Sequence, residues 1–217
     1  MARNSSNQFT HHNKVKILRG GAEYFKCLEE VIDSATYSLH LQTYIYDEDE
    51  TGKRIADALV RAAGRKVLVY VLLDGYASQD LSKKFIARLK EAGIHFSFFE
   101  PLLRSRYFYF GRRLHHKVVV ADAHRCITSG ANISNRYNDI GTIHAWLDWA
   151  IYAEGEVARQ LSKICTQVWN RSVLRKKCII RPVHYVEKLP DEECLVRVSR
   201  NDWVYKKTEI TRTYREL

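Results

Sequence analysis

The eight residues Lys66–Leu73, KVLVYVLL, constrain the fold more than any other stretch of the chain. A strand this uniformly apolar offers no face to water, so both sides must be covered. The neighbouring segments can supply the covers. Ala22–Ala35 places Phe25, Leu28, Val31, Ile32 and Ala35 at helical spacing. Thr51–Ala63 is a second helical segment stopped by Gly64, and Ser78–Ala92 a third stopped by Gly93. Val15–Leu18, Leu39–Ile45 and Ile94–Phe98 read as further strands. Alternation of strand and helix predicts parallel neighbours joined by crossover helices. Beyond Phe98 the rhythm changes: Arg113–Ala121, Arg125–Thr128 and Trp146–Tyr152 follow as strands with little helix between them, and Glu154–Trp169 is a long amphipathic helix. The expected fold is α/β, an α-β-α sandwich with a mixed, largely parallel sheet flanked by helices.

Three segments are expected: a polar lead over residues 1–14, a domain over 15–174 that carries the motif described below, and a basic extension over 175–217. In the extension Leu195–Ser199 reads as a strand, and a helix is expected from Asp202 or Trp203 to the end. A chain of 217 residues can bury a full core. Its 35 Lys and Arg against 25 Asp and Glu leave a net charge of +10, which favours a polyanionic partner: nucleic acid, an anionic membrane surface or a phosphorylated substrate. No window approaches a membrane span, and the polar start lacks the apolar run of a signal peptide. The five cysteines are odd in number and never spaced CxxC, so reduced thiols in the cytoplasm are expected, with contact to the inner face of the membrane left open.

The stretch Leu114–Asp122, LHHKVVVAD, carries the chemistry. In a strand, alternate residues share a face, so His115 and Lys117 go together and His116 points the other way. An imidazole beside an ammonium is a poor metal site and a good anion site. Val118, Val119 and Val120 would seat the pair on a rigid element, and Asp122 ends the strand. Ser129–Ser134, SGANIS, follows the next strand. Gly130 permits a close backbone approach there, and Asn132 and Ser134 are either ligand groups past a strand end or plain turn formers. Neither a metal nor a cofactor is expected: the acidic run Asp47–Glu50 reads as a solvated loop, and there is no Walker or GxGxxG motif.

His115-x-Lys117-x4-Asp122, followed by Ser129-Gly130-x-Asn132, resembles the HxKxxxxD signature of the phospholipase D superfamily. Gly21–Leu59, Arg113, the run from Asn132-Ile133 toward Tyr137, and Trp146-x-Asp148 make the likeness strongest to the N-terminal half of cardiolipin synthase-like members. Ser129 departs from the pattern, standing where a first glycine is usual. The resemblance implies that His115 attacks a phosphodiester phosphorus to give a phosphohistidine. Lys117 and Asn132, with Ser134 as a weaker candidate, would hold the non-bridging oxygens. Asp148 would accept a hydrogen bond from the other nitrogen of His115 and fix its tautomer. Asp122 reads as scaffold, Trp146 as core, and His116 as packed or hydrogen-bonded on the opposite face.

Displacement at phosphorus wants a second group to protonate the leaving oxygen. Family members supply it from a second copy of the motif, and this chain has one copy. The resemblance of Leu195–Leu217 to the opening of a second half, stopping mid-helix, implies a truncated or half-length chain. Self-association bringing two His115 residues together is the alternative. Arg104, Arg106, Arg112 and Arg113, with Tyr107, Phe108, Tyr109 and Phe110, suit a lipid headgroup interface or single-stranded nucleic acid. The implied function is phospholipid transphosphatidylation on an anionic phospholipid. A homodimeric nuclease acting on another phosphodiester and an inactive half-domain are the competing readings.

Overall fold

The computed structural model describes residues 9–100, 113–171, 177–178, 194–202 and 207–216. The arginine–aromatic run at 104–112, the linker at 179–193 and the helix start at Trp203 lie outside the described residues. The elements run in the order β1 (Asn13–Arg19), α1 (Ala22–Ser34), β2 (Ser38–Thr43), α2 (Glu50–Gly64), β3 (Leu68–Asp74), α3 (Lys83–Glu91) and β4 (His95–Phe99). They continue with β5 (Val118–Ala121), β6 (Arg125–Ser129), β7 (Trp149–Gly155) and α4 (Glu156–Asn170). A short hairpin, β8 (Asn201–Asp202) and β9 (Lys207–Thr208), leads into α5 (Glu209–Glu216).

Seven strands form one sheet in the order β1-β7-β6-β5-β2-β3-β4. The mixed α/β sandwich is as expected, but its parallel share is smaller. Only β2-β3 and β3-β4 pair in parallel, and the other neighbours are antiparallel. The cause is local. Crossover helices α2 and α3 join β2, β3 and β4, whereas β5 and β6 are joined by a hairpin too short to cross the sheet.

β3 lies between β2 and β4, and its residues from Val69 to Asp74 are buried. Val69, Val71 and Leu73 join the core under α1, α2 and α3, together with Leu39 and Leu41 of β2 and Val119 of β5. On the other face Val118, Val120, Cys126 and Ala153 pack against Val157, Leu161 and Cys165 of α4, while Tyr70 and Leu72 meet Val168 and Trp169. Helix α3 starts later than its periodicity suggests, because Ser78 is drawn into a turn: its Oγ donates to the Tyr44 carbonyl and accepts from the Tyr46 amide. Ser82 caps the helix instead. The acidic run is structural rather than simply solvated. Asp49 caps α2 and accepts from the Asn135 amide, Asp47 pairs with Arg136, and Glu48 accepts from the Ser82 amide. All five cysteines are free thiols, and no described helix is long and apolar enough to cross a membrane. The expected strand at Leu195–Ser199 reduces to a single bridge between Val196 and Thr10.

His40 is buried beneath α4 with its ring stacked 5.1 Å from that of Tyr70, and its Nδ1 has no hydrogen-bond partner. Burial lowers its pKa to about 4. The unfolded chain protonates His40 near pH 6.5 while the folded chain resists, so stability is full above that pH and is lost as pH falls toward 4. The urea midpoint should drop over this window, and His40→Phe should recover up to roughly 3 kcal/mol of the loss at pH 4.5. Equal pH profiles for the two proteins would show that His40 carries no such linkage.

Candidate active site

The strand directions bring five chain passages to one edge of the sheet. β2 and β3, parallel, both end there, at Thr43 and Asp74. β5 runs against β2 and therefore starts there, with Val118 opposite Gln42. β6 ends there at Ser129, and β7 starts there at Trp149. Tyr44, Asp74, His115–Lys117, Ser129–Asn132 and Asp148 thus all lie just outside a single edge, the place where α/β sheets commonly bind ligands.

His115, His116 and Lys117 precede the first residue of β5, so the sheet ladder does not by itself fix their side chains. Tyr44 brings the pair together. The His115 ring packs 4.9 Å from the Tyr44 ring, and Lys117 Nζ lies 5.5 Å over the same ring while donating to the His115 carbonyl at 3.0 Å. His115 is exposed and Lys117 is buried. His116 turns to the α4 side, with Nε2 2.8 Å from Gln42 Oε1. Gln42 Nε2 donates to the Cys165 carbonyl, which sets the amide orientation and places the His116 proton on Nε2.

Partial desolvation of the ring and the neighbouring Lys117 lower the His115 pKa, opposed by the charge of Asp74. Burial lowers the Lys117 pKa as well, opposed by Asp148. The result is an imidazole kept neutral, and so nucleophilic, at neutral pH beside an ammonium group.

Asp74 is the residue that periodicity did not single out, since Asp74-Gly75 reads as a turn. Its side chain is fully buried. Oδ2 accepts from the Leu114 amide at 2.8 Å, Oδ1 accepts from the amides of Tyr76 and Ala77, and Arg113 Nη1 stands 3.8 Å away. An acid closing an all-apolar strand was the available signal. Asp148 is placed differently from the expectation. Among the described residues it makes no hydrogen bond to His115; its Oδ1 accepts from the Trp149 amide at 2.7 Å. Asp148 sits one residue ahead of β7, and its carboxylate occupies the space a side chain at Gly130 would need: a Cβ there would lie 2.3 Å from Oδ1. Its charge reaches Lys117 and Tyr24.

The other motif residues divide between site and frame. Asn132 is buried, accepts from the Ile45 amide at 3.0 Å and donates to Tyr137 Oη at 3.0 Å, which leaves one amide hydrogen for a ligand. Ser134 is turned toward its own chain: it caps the 3₁₀ turn Asn135–Tyr137, with its Oγ 3.3 Å from Arg136 Nε. Asp122 lies at the far end of the sheet, where its carboxylate accepts from Thr36 N, Thr36 Oγ1, Tyr37 N and Ser38 N at 2.8–2.9 Å. Ser129 Oγ lies 3.1 Å from the Ala131 carbonyl and so ties its own turn. Trp146 is not core: it is 58% exposed, with its ring against Tyr137 and Arg136.

Two substitutions separate frame from site. Asp122→Ala should lower the unfolding free energy by about 2–4 kcal/mol, because three backbone amides and a hydroxyl lose their acceptor. Gly130→Ala should leave stability close to the parent while displacing the Asp148 carboxylate, so that Lys117 titrates at lower pH by ¹³C-lysine NMR. An unchanged Lys117 titration in that variant would show that Asp148 does not act on it.

The family model described as the PLD-like domain of cardiolipin synthase matches residues 28–169, a span that includes Tyr44, Asp74, His115, Lys117, Asn132 and Asp148. The chain is 38% identical over 155 residues to cardiolipin synthase B of Salmonella typhimurium, covering 69% of this chain and 37% of that protein. It is 32% identical over 184 residues to the major cardiolipin synthase of Bacillus subtilis, covering 84% of this chain and 38% of that protein. It therefore spans well under half the length of these relatives. Among solved structures, the phospholipase D family member Nuc from Salmonella typhimurium aligns with a TM-score of 0.54 at 18% identity, over 86% of this chain and 99% of Nuc. Phosphatidylserine synthase from Haemophilus influenzae aligns with a TM-score of 0.57 at 21% identity, over 72% of this chain and 37% of that one. These structural likenesses show a common fold. The chain belongs to the PLD-like domain family of the cardiolipin synthases.

Proposed function

We propose that the chain supplies the nucleophilic half of a phosphatidyltransferase acting on an anionic phospholipid. The observation that carries this reading is the neutral His115 imidazole held beside the Lys117 ammonium on the Tyr44 ring, with a spare Asn132 amide hydrogen at the same sheet edge. A His115 nitrogen attacks phosphorus as the bond from phosphorus to the first alcohol breaks. The departing oxygen takes a proton from an acid on a second motif. An acceptor alcohol then gives up its proton to that same group, bonds to phosphorus and releases His115. Lys117 and Asn132 stabilise the equatorial oxygens, whose charge grows in each transition state.

The acid comes from a second motif-bearing partner, either another copy of this chain or a separate half. Leu147 and Trp149, exposed beside Asp148 at the same edge, support a partner there. The similarity to cardiolipin synthases favours lipid over nucleic acid as substrate.

Incubation with phosphatidylglycerol vesicles, with single-stranded DNA as the parallel substrate, tests the reading. A phosphatidyl adduct should be found on the His115 peptide by mass spectrometry. His115→Ala should abolish it and lower turnover about 10³-fold or more. Specific activity should rise with protein concentration if two copies meet. An adduct persisting in His115→Ala, or turnover of DNA alone, would overturn the assignment.

The acid limb of the pH–rate profile should lie below pH ~6.5, since a nucleophile is lost as pH falls through its own lowered pKa. Asp74→Asn removes a charge that raises that pKa, so the limb should move to lower pH still. A shift to higher pH would contradict this electrostatic role for Asp74.

A further inference from the structure

A cavity of about 470 Å³ opens beside His115 on the α4 side of the sheet. Val118 of β5 and Leu161, Ile164 and Val168 of α4 line it, and Val198 and Ile210 of the C-terminal segment close it. That segment is fixed to the domain by backbone hydrogen bonds of Val196 to Thr10 and of Cys194 to Asn13. It is a wall of the cavity rather than a bare connection.

Arg200 belongs to the same lining. Its backbone is held by Glu209 Oε2, yet its buried Nε has no hydrogen-bond partner among the described residues. A guanidinium is always charged, and a buried N–H without an acceptor is costly. A ligand can supply that acceptor, and an anionic oxygen satisfies it best. Largely apolar walls, a guanidinium with an unpaired Nε and the His115 imidazole at the opening complement a molecule with fatty chains joined to a phosphate. A polynucleotide would instead need ring faces on which to stack. Besides the imidazoles of His115 and His116, the one aromatic ring among the described lining residues is Phe99, which is 3% exposed.

The geometry points to an acyl-chain subsite: the cavity holds the fatty chains of an anionic phospholipid while Arg200 binds an oxygen of its phosphate. This rests on the reading of His115 as the centre of phosphodiester chemistry. It adds a substrate-binding role for Val198, Arg200 and Ile210, which lie beyond the matched family span.

Calorimetric titration of the full chain carrying His115→Ala, which cannot form the adduct, tests the subsite separately from the reaction. The probes are monomeric dihexanoylphosphatidylglycerol, glycerophosphoglycerol without acyl chains, and a single-stranded oligonucleotide. The diacyl lipid should bind at least about ten-fold tighter than its deacylated counterpart. Val198→Trp, which fills the cavity, should erase that preference, and Arg200→Gln should weaken lipid binding about ten-fold. Circular dichroism and thermal unfolding confirm that each variant is folded, and Arg200→Gln carries the test if Val198→Trp is not. Equal binding of the two glycerol phosphodiesters, parent-like lipid affinity in folded Arg200→Gln, or an oligonucleotide that binds best and is weakened by the same substitutions would each overturn the subsite. Selective lipid binding with no adduct on the active chain would sink the reaction and leave the subsite standing. An adduct without selective binding would do the reverse.

Discussion

The buried carboxylate of Asp74 is the interaction on which the rest of the site depends. It sits at the end of β3, buried from Val69 onward, with both oxygens occupied by backbone amides from two different segments. A carboxylate removed from water must be satisfied by the chain, and here the amides of Tyr76, Ala77 and Leu114 do so. One consequence is that the turn after β3 is pinned. The other is that the residue immediately before His115 is tied to the sheet at a point where β5 has not yet begun. The motif gains a rigid base without being part of a regular strand, and the same charge moderates the pKa of the histidine it positions.

β2 does the complementary work on the other side. Gln42 reaches under the sheet to hold His116 and the α4 carbonyl of Cys165, and Tyr44 reaches beyond its edge to hold His115 and Lys117. The two adjacent histidines are sorted by one neighbouring strand. His116, half-buried and desolvated so that its pKa falls to about 4, stays neutral and structural, while His115 stays accessible. A similar division separates the two motif aspartates. Asp122 secures the far end of β5 to the start of β2, and Asp148, just ahead of β7, supplies negative charge near Lys117, so an acid that fastens the fold and one that tunes the site lie at opposite ends of the sheet.

The HxKxxxxD spacing marked His115, Lys117 and Asn132 as candidates, and the alternation of apolar segments was enough to identify the sandwich and the rigid valine strand. Local periodicity made those legible, because core-facing residues repeat at intervals that only helix or strand can satisfy. It overstated the parallel share of the sheet, since strand direction after β4 depends on whether a connection can cross the sheet. It placed Trp146 in the core, although an aromatic just ahead of a strand carries no periodic signal of burial. It read Asp74 as a turn former, because an acid at a strand end looks the same whether its carboxylate faces water or three amides.

What the sequence determined by itself is the chemistry available: one imidazole and one ammonium at fixed spacing, a downstream amide, an excess of positive charge, and a single copy of the motif. What only the tertiary structure decided is which groups act on which. Tyr44 gathers the pair, Asp74 rather than Asp148 lends its charge to His115, Ser134 turns to its own chain, and Arg200 Nε is left without an acceptor among the described residues beside a largely apolar cavity. Those outcomes depend on residues tens of positions apart meeting at one sheet edge. Strand order sets that meeting, and the conformation of each loop sets which side chain is left to face the ligand.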